Sequence, residues 1–281
     1  MKSSIRRQRL PGVRGYAILI LGATAAWADD PLEIVRRSVE RDQTNFERSR
    51  NYTYLKRAEE RELDARGKVK KTVSETHEII FLAGQSYQRL IARNDRPLAE
   101  KDARKEEEKM DKELRRRQRE PEKTRKQLEK DRAETRRFVR DIPEAFDFRL
   151  LGEERVSGED AWVIEAEPKP GYQPSASRAK MLRKIRARLW IGKADYHWVK
   201  LDAEAIDTIS FGGFLIRVGS GAQLRFEQAR VNEEVWLPRL LEIEAQARVA
   251  LVKKMRRGIR VTYSDYRKFQ ADSRILNTEV Q

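Results

Sequence analysis

The chain has 281 residues, no cysteine, two histidines and a formal net charge of +15 at neutral pH. The lack of cysteine excludes disulfide bonds and thiolate metal sites. The length is sufficient for one large domain with a hydrophobic core of its own.

The first 28 residues have the pattern of a secretory signal peptide. Five basic residues precede residue 15, an apolar run occupies residues 16–26, and the small residues Ala26 and Ala28 flank Trp27 at the expected cleavage position. The apolar run is shorter than the ~20 residues that span a bilayer. We therefore predict cleavage after Ala28 and a periplasmic protein of residues 29–281; the alternative is an uncleaved N-terminal anchor.

Five of the positive charges lie in this leader, so the mature chain carries +10. In a cytosolic protein this charge would suggest nucleic acid as a partner. An exported chain meets anionic lipid headgroups or acidic envelope polymers instead, and we expect no nucleic-acid partner.

One amphipathic helix is predicted after the cleavage position. Asp29 or Asp30 can cap it, Pro31 suits its first turn, and apolar residues recur at helical spacing to about Arg50. From Asn51 the apolar period changes to two, which predicts a long hairpin with its turn at residues 64–67 and a third strand after residues 83–85.

Residues 98–140 are dominated by Lys, Arg and Glu, with few large apolar side chains. The segment lacks the sustained apolar heptads of a coiled coil, and Pro121 predicts two charged helices rather than one. A solvated excursion held by ion pairs between helix turns is the simplest interpretation. Contact with a membrane surface or with a protein partner is the alternative.

From Phe146 onward, short apolar-polar alternations are separated by turn residues almost to the end of the chain. This pattern predicts a large antiparallel sheet with one apolar face and one polar face. A strongly twisted sheet of about ten strands bends toward a barrel, and an inner face that side chains do not fill can hold a ligand.

Catalytic and metal-binding patterns are missing from the sequence. His77 and His197 each lie alone in a strand pattern, whereas a zinc site needs at least three well-placed ligands. Neither a phosphate-binding loop of the G-x-x-x-x-G-K type nor a G-x-S-x-G elbow is present. We expect no enzyme activity, no metal and no cofactor; a hydrolase of an envelope polymer is a minor alternative.

Four stretches in this order resemble the outer-membrane lipoprotein-sorting family, with its LolA/LolB-like fold. They are the leader with its single helix and residues 51–54 (NYTY), the strand pair at residues 188–191 (RLWI) and 196–201 (YHWVKL), residues 235–238 (VWLP), and residues 263–269 (YSDYRKF). The likeness covers most of the mature chain apart from residues 98–140.

The resemblance implies an unclosed β half-barrel covered by helices, which holds acyl chains or lipidated proteins and has no catalytic residues. The charged helical insertion at about residues 98–140 departs from the family pattern. It puts a lipoprotein-carrier role in doubt and favours a divergent member with another cargo.

Aromatic residues in or beside the predicted strands are the candidate lining of an apolar ligand site. They are Trp162, Trp190, Trp198, Phe211, Phe214, Phe226 and Trp236. Ordinary core packing is the alternative role for each of them.

We therefore expect an exported, non-enzymatic protein that binds a lipid, an acyl chain or a lipidated protein. The second hypothesis is an envelope-stress or scaffold protein that recognises a polypeptide partner through the basic helical insertion.

Overall fold

The computed structural model describes residues 29–269, except residues 65, 177, 212–215 and 250–252. The side chains of residues 211, 216, 248, 249, 253 and 254 are also outside the description. The predicted signal peptide, residues 1–28, lies outside the described residues.

The described residues form three α-helices, one short 3-10 helix and thirteen strands. The α-helices are α1 (Pro31–Ser49), α2 (Glu100–Arg119) and α3 (Pro121–Ala145), and the 3-10 helix is Arg178–Lys184. The strands are β1 (Tyr52–Leu63), β2 (Val69–Leu82), β3 (Gln85–Arg93), β4 (Arg96–Pro97), β5 (Phe146–Val156), β6 (Glu159–Pro168), β7 (Ile185–Gly192), β8 (Trp198–Ala205), β9 (Ile209–Phe211), β10 (Ile216–Val218), β11 (Gln223–Val231), β12 (Val235–Val249) and β13 (Lys253–Lys268).

Helix α1 begins where the sequence predicts. The Asp30 carboxylate accepts a hydrogen bond from the Leu32 N–H at 3.0 Å, and Pro31 occupies the first turn. Val35 and Val39, one turn apart, are both buried, so one side of the helix faces the sheet.

The strands form a single antiparallel sheet. Its main order is β4-β3-β2-β1-β13-β12-β11-β8-β7-β6-β5, and the short strands β9 and β10 extend it beside β12. Within the described ranges no pairing joins the edge strands β4 and β5, so the sheet is not closed into a barrel. The prediction of a large, unclosed antiparallel sheet is confirmed.

The charged insertion forms two helices, and the break between them is at Pro121 as predicted. The chain leaves the sheet at edge strand β4, passes through α2 and α3, and returns at the opposite edge strand β5. The insertion therefore connects the two edges of the unclosed sheet.

The insertion is anchored at its middle, where α2 meets α3, and at the end of α3. Arg117, near the end of α2, is 8% exposed and donates hydrogen bonds to the carbonyls of Leu82, Gln85 and Ser86 in the β2–β3 hairpin. At the far end of α3, Ile142 is buried in the main core. A 25-residue helix is about 37 Å long, so α3 can extend from one edge of the sheet toward the other.

The main core lies between α1, the end of α3, the 3-10 helix and the side chains of β5–β8 that face them. Ile164 and Ile191, at 0% exposure, are at its centre. A smaller cluster around Trp190 and Val163 lies on the opposite face of the same strands.

Candidate functional site

Eight strands of the sheet carry a continuous row of apolar side chains on the face that α1 covers. Directly paired residues of an antiparallel sheet point to the same face, so the strand register defines the row. We call it the apolar row: Leu150, Ile164, Leu189, Leu201, Phe226, Leu241, Val261 and Ala58.

The neighbouring residues of the same eight strands form a second row on the opposite face, in which positive and negative charges alternate without exception. We call it the charged row: Arg149, Glu165, Arg188, Asp202, Arg225, Glu242, Arg260 and Glu59. Arg225 contacts the Asp202 carboxylate at 3.1 Å and the Glu242 carboxylate at 3.9 Å.

An open groove of about 610 Å³ runs along this charged face. Charged side chains dominate its lining, including Arg186, which lies 3.3 Å from the Glu204 carboxylate. Because such groups favour water, the groove does not suit an apolar ligand.

Helix α1 covers only part of the apolar face. The indole N–H of Trp162 donates to the Asp29 carboxylate at 2.8 Å, and that of Trp198 donates to the Ser38 hydroxyl at 2.9 Å. Further along the helix, Asn45 makes two hydrogen bonds with the Trp236 backbone, at 2.7 and 2.8 Å. These contacts place α1 over the β6–β8 region and over the start of β12.

Beyond this contact the apolar row continues without a complete cover. Leu201, Phe226 and Leu241 are half-buried, in contrast to Ile164 and Leu189 in the covered part, which are buried. We call the residues of the apolar face on β8, β11, β12 and β13 the open strip; beside the row it contains Leu224, Ile243 and Ile259, all half-buried. Its row member on β13, Val261, is buried at 5% exposure.

A tyrosine cluster lies on β1 and β13, beside the end of the open strip. The ring centroid of Tyr54 is 6.0 Å from that of Tyr263 and 5.2 Å from that of Tyr266. Burial raises the pKa of all three hydroxyls, yet all three side chains are only half-buried from solvent. The three rings therefore pack against one another and remain accessible to solvent.

Asp42 belongs to the side of α1 that faces the sheet, between Ser38 and Asn45. Burial raises the pKa of its carboxyl group. Within the described part of the chain it forms neither a hydrogen bond nor an ion pair.

The seven aromatic residues predicted as ligand lining do not share one surface. Trp162 and Trp198 lie on the α1 side, where they pack in or against the main core. Trp190 and Trp236 belong to the smaller cluster with Val163, and the indole N–H of Trp190 donates to Glu154 at 2.8 Å.

Of the remaining three aromatic residues, Phe226 lies in the open strip. Phe214 is outside the described residues, and for Phe211 only its position in β9 is described. The lining role of the set stays a prediction, which the geometry supports best at Phe226.

Sequence reasoning did not assign a site role to the aliphatic residues of the open strip, and it included the three clustered tyrosines only in the stretches 51–54 and 263–269 that carry the family resemblance. Their signal was present as alternation within each strand, but the row appears only when the pairings of β8 with β11 and of β1 with β13 are known. Leu241 is an example of a residue that no local motif identifies.

The two histidines are structurally separate. Burial lowers the pKa of both His77 and His197; His77 lies near the carboxylates of Glu75 and Glu106, and His197 lies near that of Asp195. Among the residues that the structure describes, no group of three or more His, Asp or Glu side chains could hold a metal ion.

None of the described helices is both long enough and apolar enough to cross a membrane. No protein-family model matches the chain. No curated protein matches it either.

Several solved structures do match. A DUF1329 family protein from Desulfovibrio piger is 14% identical, with 86% of this chain and 98% of that chain covered and a TM-score of 0.32. A LolA superfamily protein from Nitrosomonas europaea is 10% identical (85% and 94% covered, TM-score 0.30). An outer-membrane lipoprotein-sorting protein domain from Vibrio parahaemolyticus is also 10% identical (88% and 95% covered, TM-score 0.29).

Proteins of the superfamily that the sequence resembles are thus among the matched structures. With identities of 10% to 14% and TM-scores below 0.5, the function has to be inferred from the residues of this chain.

Proposed function

We propose that this chain is an exported binding protein that holds the apolar chain of a lipid or a lipidated protein against the open strip. The observation that carries the proposal is the continuation of the apolar row beyond α1, where Leu201, Phe226 and Leu241 remain half-buried. A contiguous apolar surface in a soluble domain is expected to meet an apolar partner.

The dimensions of the open strip suit an acyl chain. Neighbouring strands are about 4.8 Å apart, so the four strands of the strip extend over about 14 Å between the outermost strand axes. Each methylene group that leaves water contributes about 0.8 kcal/mol, so a chain covering this width can bind without any covalent step.

The binding test uses two adjacent leucines of β12. Leu241 faces the apolar side and Leu240 faces the opposite side, and both are half-buried. We expect Leu241→Gln to weaken the binding of a fluorescent fatty acid at least about tenfold, because it places an amide in the acyl contact. The matched variant Leu240→Gln should bind as the wild type does.

Equal loss in both variants would point to damage of the fold rather than to a site. Absence of fatty-acid uptake by the wild-type protein, together with a protein mass free of lipid after purification from envelope extracts, would overturn the proposal.

Export is the second part of the proposal. Two residues directly after the predicted cleavage position have structural roles. Asp29 accepts the hydrogen bond from the Trp162 indole, and Asp30 caps α1. Both residues at the proposed mature N-terminus therefore make contacts within the fold. Mass spectrometry of the periplasmic fraction should find a chain beginning at Asp29; a full-length chain in the membrane fraction would indicate an uncleaved anchor.

A polypeptide partner for the insertion is the second candidate. Lys123, Lys126 and Lys130 are exposed on α3 at spacings of three and four residues, so they form one basic stripe. If this stripe binds a partner, changing all three to Glu should abolish cross-linking to one defined acidic envelope protein and leave fatty-acid binding unchanged. Loss of fatty-acid binding alone would contradict this candidate.

A further inference from the structure

A second row of residues lies beside the apolar row on the same face of the sheet. On β13, β1 and β2 the residues of this second row are polar. Lys56 on β1 pairs directly with Tyr263 on β13 and with His77 on β2. Each lies two residues along its strand from the preceding row, where Val261, Ala58 and Glu75 are paired. Two residues of a strand span about 7 Å, so this polar row adjoins the end of the open strip.

Lys56 is a cation without a carboxylate partner in the described part of the chain. Its ammonium group donates one hydrogen bond to the Gln88 side chain, at 3.3 Å. The carboxylate on this face nearest in the register, Glu75, lies 3.3 Å from the Arg93 guanidinium and 3.8 Å from the His77 ring. Glu106 of α2 also lies near His77, and it pairs with Lys109 at 2.6 Å. Neither carboxylate is paired with Lys56, so its positive charge is left for another anion.

Tyr263 pairs directly with Lys56 in the strand register, and Tyr54 lies two residues from Lys56 on β1. The third tyrosine of the cluster, Tyr266, donates its hydroxyl hydrogen to the Pro238 carbonyl. Over the described residues, the hydroxyls of Tyr54 and Tyr263 have no protein hydrogen-bond partner, and the raised pKa that burial gives them keeps both protonated as donors at neutral pH.

We propose that Lys56, Tyr54 and Tyr263 bind the anionic head of a single-chain amphiphile whose apolar tail lies on the open strip. The inference rests on the proposed function, because the tail site positions the head. The recognised chemistry is a carboxylate or a phosphate monoester: an ammonium and two hydroxyl donors satisfy the oxygens of either group. An amphiphile with one anionic head and one apolar tail fits this arrangement, because the single cation of the polar row, Lys56, lies next to the open strip.

The test compares three amphiphiles with equal tails: palmitate, palmitoyl lysophosphatidate and the uncharged monopalmitoylglycerol. We expect Lys56→Met to weaken the binding of the anionic probes about tenfold, the effect of losing one charge-assisted hydrogen bond, and to leave the uncharged probe unaffected. Tyr263→Phe should cause a smaller loss with the same selectivity. A larger loss for one anionic probe distinguishes a carboxylate from a phosphate ligand.

Lys71→Met is the matched control. Lys71 is on β2, where it is opposite Glu62 in the strand register. Its substitution removes the same charge from the same face, about 20 Å along the strands from Lys56. The Lys71→Met variant should therefore bind all three probes as the wild type does. Thermal unfolding of each variant checks that the fold is intact.

The outcomes separate the two proposals. If the wild type binds all three probes and Lys56→Met changes none of them, or changes all three equally, the head site is overturned and the tail site stands. If the wild type binds none of the probes, both proposals fail.

Discussion

The two faces of the sheet are built from adjacent residues of the same eight strands, yet they have opposite chemistry. On one face, Leu201, Phe226 and Leu241 continue a row of apolar side chains; on the other, Asp202, Arg225 and Glu242 continue a row of alternating charges. The apolar row supplies stability through burial and leaves the open strip only partly covered. Exposed ion pairs supply little stability, so the charged row is better suited to fixing the register.

A change of register by one residue shows why both rows matter. Such a slip would turn Arg225 toward the helix-covered face and Phe226 toward water. The charged row also favours this pairing, because each of its six inner members meets an opposite charge on both neighbouring strands in the observed register.

The largest expected effect compares the covered and open parts of the apolar row. Ile164, at 0% exposure, lies beneath α1 and α3, whereas Leu241 is half-buried. We expect Ile164→Ala to lower the free energy of unfolding by about 3 kcal/mol and Leu241→Ala by about 1 kcal/mol. Urea denaturation measures both values. Equal losses would mean that the strip is as tightly packed as the core.

The next effect tests the attachment of α1 to the apolar face. Asn45→Ala removes two buried hydrogen bonds and leaves the N–H and C=O groups of Trp236 without partners, which should cost about 2 kcal/mol. The neighbouring exposed residue provides a control, since Thr44→Ala should change the stability by less than about 0.5 kcal/mol. If Asn45→Ala proved neutral, the helix would be held by apolar contact alone.

A smaller effect is expected on the charged face. Arg225 is half-exposed between two carboxylates, so Arg225→Met should cost below about 1 kcal/mol at low ionic strength and less at high ionic strength. Denaturation at two salt concentrations measures the difference. A loss above 2 kcal/mol that salt does not reduce would show that this face also has a buried electrostatic core.

The smallest effect concerns Asp42, the unpaired carboxyl beneath α1. Because burial raises its pKa in the folded state, ionisation at neutral pH destabilises the fold. Asp42→Asn should therefore be more stable than the wild type at pH 7. This advantage should shrink as the pH falls through the raised pKa, because the wild-type carboxyl group then takes up a proton in the folded state. An Asn variant that is less stable at pH 7 would reveal a cationic partner for Asp42.

The sequence predicted those parts of the fold that local signals determine. Asp30 and Pro31 mark the start of α1, the turn residues 64–67 mark the first hairpin, and Pro121 separates the two charged helices. In each case the responsible residues are neighbours in the chain, so no tertiary information is needed.

The candidate site depends on residues that are far apart in the chain. The tyrosine cluster needs the pairing of β1 with β13 and the irregularity in register between Thr53 and Leu55, where Asp265 has a φ of 53°. Neither is encoded in a local motif. The distribution of tryptophans shows the same limit: alternation assigns Trp190 and Ile191 to opposite faces, but only the assembled sheet shows which face α1 covers.

The outer edge of β5 has a further consequence for behaviour at high concentration. Strand β5 has eleven residues and pairs only with β6 in the described sheet, so its other edge is unpaired there. A regular unpaired edge of that length can pair with a strand of another chain. The irregularity between Leu150 and Gly152, where Gly152 has a φ of 147°, interrupts the repeat of donors and acceptors that an incoming strand would require. Resistance to aggregation should therefore depend on keeping this kink, since a straightened β5 would offer a template for intermolecular sheet growth.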